Sequence, residues 1–213
     1  DRAAVGRLPD DVLAHHGAVD GVINNAGIIQ PFVRIHDLED AAIERVMNVN
    51  FYGTLYMTKA FLPYLLQRPE AHIVNIASMG GFLPVPGQGI YGASKAAVKL
   101  MTEALYAELL HTRVRVTVVF PGATATEIAR NSGVAGTLTV NEQEMRSSFP
   151  MLTAQQAAEQ IVRAMEQNRY QAFVGRDSAF MNLLYRLNPK GAVEFLTRQM
   201  AALLPPIEGK KSP

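Results

Sequence analysis

The stretch "VDGVINNAG", from Val19 to Gly27, decides how this chain is read. A short apolar, β-favouring run ends in Asn-Asn-Ala-Gly, which reads as a buried strand breaking into a turn. Two longer runs of the same kind follow: "AHIVNIAS" (Ala71 to Ser78) and "RVRVTVVFPG" (Arg113 to Gly122), the second stopped by Pro-Gly. A fourth, "QAFVG", covers Gln171 to Gly175. Helical patterns lie between them. Asp37 to Gln67 is long and amphipathic, with Asp37 as its expected N-cap and Pro63 as a kink near its end. Tyr91 to His111 is a second long helix, and Thr153 to Asn168 a third, capped by Thr153. Weaker helical stretches run from Ala179 to Leu187 and from Lys190 to Leu204, before Pro205 and Pro206. Apolar strands alternating with helices of this length imply parallel β-α-β units. The expected class is therefore α/β: a doubly wound, Rossmann-like parallel sheet in a three-layer α/β/α single domain over residues 1–213. Residues 176–213 form its C-terminal helical extension.

Composition narrows the function. The chain has 213 residues, 48% of them hydrophobic, enough for one sizeable core. Its 20 basic and 19 acidic residues leave a net charge of +1 without a clustered basic face, so no nucleic-acid partner is expected. There are no cysteines, which excludes thiolate chemistry and fits a reducing, cytoplasmic location. No apolar run approaches the ~18 residues of a membrane span, and no signal peptide is visible. The five histidines (His15, His16, His36, His72, His111) lack ligand spacing, so no metal is expected.

Ligands of an open parallel sheet bind beyond the carboxyl ends of its strands. Asn24, Asn25, Ala26 and Gly27 close the first strand, Ser78 the second, and Pro121 and Gly122 the third. Tyr91 and Lys95, one helical turn apart in "GIYGASKAAV" (Gly89 to Val98), share a face at the start of the helix after the second strand. A phenol beside an ammonium group is either a surface coincidence or a tuned acid. The order N-N-A-G, then V-N-F-Y-G at 49–53, then a strand-end Ser, then Y-x-x-x-K thirteen residues later, then P-G-x-x-x-T, resembles the short-chain dehydrogenase/reductase family. The match runs over roughly residues 19–175.

The resemblance implies an oxidoreductase that moves a hydride between NAD or NADP and a secondary alcohol/ketone pair. Tyr91 would be the general acid/base. Lys95 would lower its pKa from ~10 and hold the nicotinamide ribose. Ser78 would hydrogen-bond the substrate oxygen. Asn50 would keep a water in the proton relay, with Asn48 as its competitor. Asn24, Ala26 and Gly27 would line the adenosine ribose. Pro121, Gly122 and Thr126 would flank the nicotinamide, with Thr124 competing for the threonine role. Other readings are a nucleotide-sugar epimerase or dehydratase, and a non-catalytic dinucleotide sensor or scaffold on the same fold.

The family's Gly-rich phosphate loop, T-G-x-x-x-G-x-G, does not occur here. The chain begins "DRAAV" and has 23 residues before Asn24, so the expectation is a physiological protein that is longer and carries the first β-α-β units. The residues that separate NAD from NADP are absent with them. Residues 123–150 are read as a substrate lid with apolar Ile128, Val134, Leu138, Met145 and Phe149, followed by Met151. Met79, Phe82 and Leu83 are read as pocket residues, which points to a fairly apolar substrate such as a steroid, lipid-derived or aromatic ketone. Apolar residues beyond one face of the long helices (Phe51, Tyr52, Leu55, Tyr56, Phe61, Leu62) point to a homodimer or homotetramer.

Overall fold

The computed structural model describes residues 1–134 and 151–201. Four strands form one parallel sheet in the order β1-β2-β3-β6, where β1 is Gly21–Asn24, β2 Ala71–Ile76, β3 Val114–Pro121 and β6 Gln171–Val174. Register runs Val22↔Ile73↔Val116 across the first three strands. Two short strands, β4 (Thr124–Ala125) and β5 (Leu152–Thr153), pair parallel beside it. The helices are α1 (Arg2–His16), α2 (Asp40–Met47), α3 (Gly53–Leu65), α4 (Gly89–Leu109), α5 (Ile128–Asn131), α6 (Ala154–Glu166), α7 (Arg176–Leu187) and α8 (Pro189–Gln199).

All six residues of β2 are buried, because helices cover both faces of the central strands. On one face Val22, Ile73 and Val116 pack under Phe61 and Leu65 of α3 and Leu105 and Leu109 of α4. On the other, Val74, Ile76, Val119 and Val174 meet Ala157 and Ala164 of α6. Each fully buried aliphatic chain here contributes about 1.5–3 kcal/mol. Nearer the strand ends, Phe82, Phe120 and Phe173 form an aromatic cluster with centroids 5.2–6.0 Å apart. This is the doubly wound three-layer class expected from the alternation of strands and helices.

Element boundaries differ from expectation in several places. Helix α1 was not foreseen. Asp1 caps it by accepting from Ala3 and Ala4 backbone N–H groups, and Gly17 ends it at φ 75°. The expected helix from Asp37 to Gln67 is divided. Asp37 lies in a 3₁₀ turn and pairs with His36 at 3.2 Å, and α2 starts only at Asp40, where Glu39 provides no side-chain cap. Residues Asn48–Tyr52 then form a π segment, with Gly53 N–H bonding Asn48 O. Pro63 sits in the last turn of α3 without breaking it before Leu65. The last helix ends at Gln199, earlier than Leu204; residues 202–213 lie outside the described residues. Thr153 caps α6 as expected, in a reciprocal capping box with Gln156. Among the described residues no helix is long and apolar enough to cross a membrane.

Candidate active site

The carboxyl ends of β1, β2 and β3 and the first turn of α4 converge on one rim. Three close backbone approaches set its dimensions. A Cβ on Gly92 would lie 2.9 Å from Gly80 O, one on Gly81 would lie 2.9 Å from the Lys95 carbonyl, and one on Gly80 would lie 3.3 Å from the Tyr91 ring and 3.6 Å from Ser78 Oγ. Only glycines let α4 rest directly on the turn after β2. That turn is nucleated by Ser78, whose Oγ accepts from Gly80 N–H at 3.1 Å. The result is Ser78 beside Tyr91, from elements that the sequence keeps thirteen residues apart.

Lys95 is buried, 4% exposed, and its ammonium donates to Ile76 O at 2.8 Å, at the end of β2. Burial lowers its pKa from 10.5 to about 8. Gly27 presses on it, since a Cβ there would stand 3.1 Å from Nζ and 3.4 Å from Asn50 Oδ1. Asn50 is fully buried in the π segment and stitches the Gly27 turn in place. Its Oδ1 accepts from Ile28 N–H at 2.8 Å, and its Nδ2 donates to Ile28 O and Ser94 Oγ, both at 2.9 Å. Thr54 Oγ1 donates to Asn50 O at 2.8 Å. Asn48, its rival, is exposed.

The Tyr91 phenol departs from expectation. Its pKa is raised, first by burial, and the opposing pull comes from a hydrogen bond with Ser78 rather than from Lys95. Lys95 is itself desolvated, and its ammonium donates to Ile76 O.

The remaining residues divide. Ala26 and Gly27 lie at the rim. The Asn24 side chain turns inward instead, where Nδ2 donates to Asn75 Oδ1 at 2.8 Å and to Thr58 Oγ1 at 3.3 Å. Asn75 Nδ2 passes the chain on to Thr102 Oγ1 at 2.9 Å. Thr124 spends its hydroxyl on Gly122 O, whereas Thr126 is exposed. Pro121 and Gly122 end β3 as expected, and Asp177, which sequence reading did not single out, is seated against them. Its Oδ2 accepts from Ala123 N–H at 2.6 Å, and its carboxylate occupies the space of a Gly122 side chain. Of the expected pocket residues, Leu83 is fully buried and belongs to the core, while Phe82 is partly buried in the aromatic cluster. Met79 is partly buried beside them. Leu138, Met145 and Phe149 of the expected lid lie outside the described residues. In the described part, Ser132 anchors α5 to the Gly27 turn by accepting from Ile29 N–H at 2.9 Å.

The family profile of short chain dehydrogenases matches residues 1–135. The oxidoreductase SadH of Mycobacterium tuberculosis is 38% identical over 194 residues, covering 88% of this chain and 69% of that one. An 11-beta-hydroxysteroid dehydrogenase 1A of Arabidopsis thaliana is 35% identical over 182 residues, 82% of this chain and 50% of its own length. A short chain dehydrogenase from Burkholderia cenocepacia, solved in complex with NADP, superposes with a TM-score of 0.75 at 26% identity, covering 92% of this chain and 74% of that one. The chain belongs to the short-chain dehydrogenase/reductase family, a family of NAD(P)-dependent oxidoreductases.

Gly27 and Lys95, expected at opposite ends of a dinucleotide, stand side by side at the rim, and their chemistry fits a ribose of such a cofactor. The Lys95 ammonium carries three donors, of which Ile76 O takes one among the described residues. Gly27 brings the backbone to that nitrogen where any side chain would intrude.

Proposed function

We propose that this protein reduces a fairly apolar ketone to a secondary alcohol, or runs the reverse, with a nicotinamide dinucleotide as hydride carrier. The convergence of Ser78, Tyr91, Lys95 and Asn50 on one sheet rim carries the reading. Tyr91 donates its phenolic proton to the substrate oxygen. A phenol held neutral by burial is the form that carries the proton to be donated. Ser78 orients that oxygen and steadies its charge. Lys95 holds the ribose hydroxyls, and Asn50 fixes the Gly27 turn against which the cofactor lies. The bound dinucleotide supplies the hydride. Exposed Ile35, against the start of α4, supports an apolar substrate, as does likeness to a relative named for hydroxysteroid dehydrogenation. A homo-oligomer is proposed from Tyr52 and Leu100, which stay exposed on the long helical arm and on α4; Phe61 and Leu62 instead pack against the core.

Tyr91→Phe in the intact protein tests the reading. Turnover of a bulky apolar ketone should fall by at least about a hundredfold, while the reduced dinucleotide binds within about threefold of wild type. Unchanged turnover would refute it, and better kcat/KM for short polar ketones would refute the substrate class.

A further inference from the structure

We infer that Gln30 is a positioning residue for Tyr91, locking the catalytic helix to the turn that receives the cofactor. Gln30 is fully buried. Its Oε1 accepts from the backbone N–H groups of Ile90 at 2.8 Å and Tyr91 at 3.0 Å. Its Nε2 donates to Gly87 O at 2.9 Å, and its backbone carbonyl accepts from Gln88 Nε2 at 2.8 Å. The first N–H groups of a helix have no intrahelical partner, and a local Ser, Thr, Asp or Asn normally takes them. Here Gln88 stands at the N-cap of α4 and makes no side-chain cap bond. The cap comes from about sixty residues away, from the segment three residues beyond Gly27.

That origin matters for the chemistry. The Gly27 turn is held by Asn50, and α4 carries Tyr91 and Lys95. Asn50 links the two through Ser94 Oγ; Gln30 is a second bridge, and the one that grips the Tyr91 backbone itself. With the amide gone, two part-buried N–H donors and the Gly87 carbonyl lose their partner, and the first turn of α4 is free to shift relative to Ser78. A misplacement near 1 Å is enough to slow proton transfer about a hundredfold, while dinucleotide contacts elsewhere persist.

The inference rests on Tyr91 as the proton-transfer residue, which Tyr91→Phe tests separately. If Tyr91→Phe stays active, that reading fails; if it is inactive and the Gln30 variants behave as wild type, only this inference fails. Three variants of the intact protein are compared. Gln30→Met keeps length and bulk without the amide. Gln30→Asn keeps the amide but shortens its reach. Gln30→Glu keeps the acceptor for the two N–H groups. The expected result is a kcat reduced at least about tenfold in the Met and Asn variants, a dinucleotide Kd within about threefold of wild type, and a kcat within about threefold for Gln30→Glu. If Gln30→Met does not fold, the Asn and Glu pair gives the same comparison. Wild-type kcat in a folded Asn or Met variant, loss of kcat and dinucleotide binding in equal proportion, or a Glu variant as slow as Asn would each overturn it.

Discussion

Lys95→Met exposes the energetic cost of placing an ammonium group at the rim. Burial lowers the Lys95 pKa from 10.5 to about 8. Unfolded chain therefore holds this proton more tightly than folded chain, and between pH 8 and 10.5 the unfolded state binds more protons. Wild-type stability must rise with pH through that window, and the whole penalty is present below about pH 8. At about 1.4 kcal/mol per pH unit the full gain is roughly 3 kcal/mol, of which about 2 kcal/mol appears between pH 7 and pH 9.5. Absolute stability at pH 7 is a poor readout. Methionine removes the buried charge but also takes the donor from Ile76 O, a loss of about 1.5–3 kcal/mol that nearly cancels the gain. The slope is the clean quantity. Urea unfolding followed by far-ultraviolet circular dichroism, at intervals from pH 7 to 9.5, should show wild type gaining about 2 kcal/mol relative to Lys95→Met. Parallel curves for the two proteins would refute the buried, desolvated lysine.

Two glycines make an opposed pair of tests. Gly92→Ala places a methyl group 2.9 Å from Gly80 O, with backbone on both sides, so thermal unfolding should show a loss of about 1–3 kcal/mol, and kcat should fall as α4 lifts from Ser78. Gly6→Ala, on α1 with nothing within 4 Å, should gain about 0.5–1 kcal/mol in the same melt and leave turnover unchanged.

The sheet and the rim were legible because their signals are local. Apolar runs stopped by Asn-Asn-Ala-Gly or Pro-Gly mark β1 and β3, and the spacing from Ser78 through Tyr91 to Lys95 survives in sequence. Helix α1 was hidden by Gly6 and Pro9, although Asp1 and Gly17 are ordinary start and stop residues. Asp37 resembles a cap, yet two more residues, Leu38 and Glu39, intervene before α2 begins. Gln30 and Asp177 carried no signal, because their partners are contributed by segments more than fifty residues away. Asn24 was assigned by its motif to the ligand side, but a polar side chain facing inward next to Asn75 pairs there first. The Tyr91 pKa could not be read from the Y-x-x-x-K spacing, since burial of the phenol outweighs what the spacing suggests.

The π segment between α2 and α3 has a bearing on how this chain tolerates change in length. Its one wide turn shifts the phase of the helical arm, so that α2 can present Val46 to the interior, α3 can present Phe61 and Leu65, and Asn50 between them can still face the Gly27 turn. Removing a single residue from 48–52 would bring the arm back into α-helical phase and rotate one of these three faces away by about 100°. Deletions in this segment are therefore more damaging than most substitutions in it. Among its homologues the distance from Val46 to Phe61 should stay constant even where residues other than Asn50 vary between them.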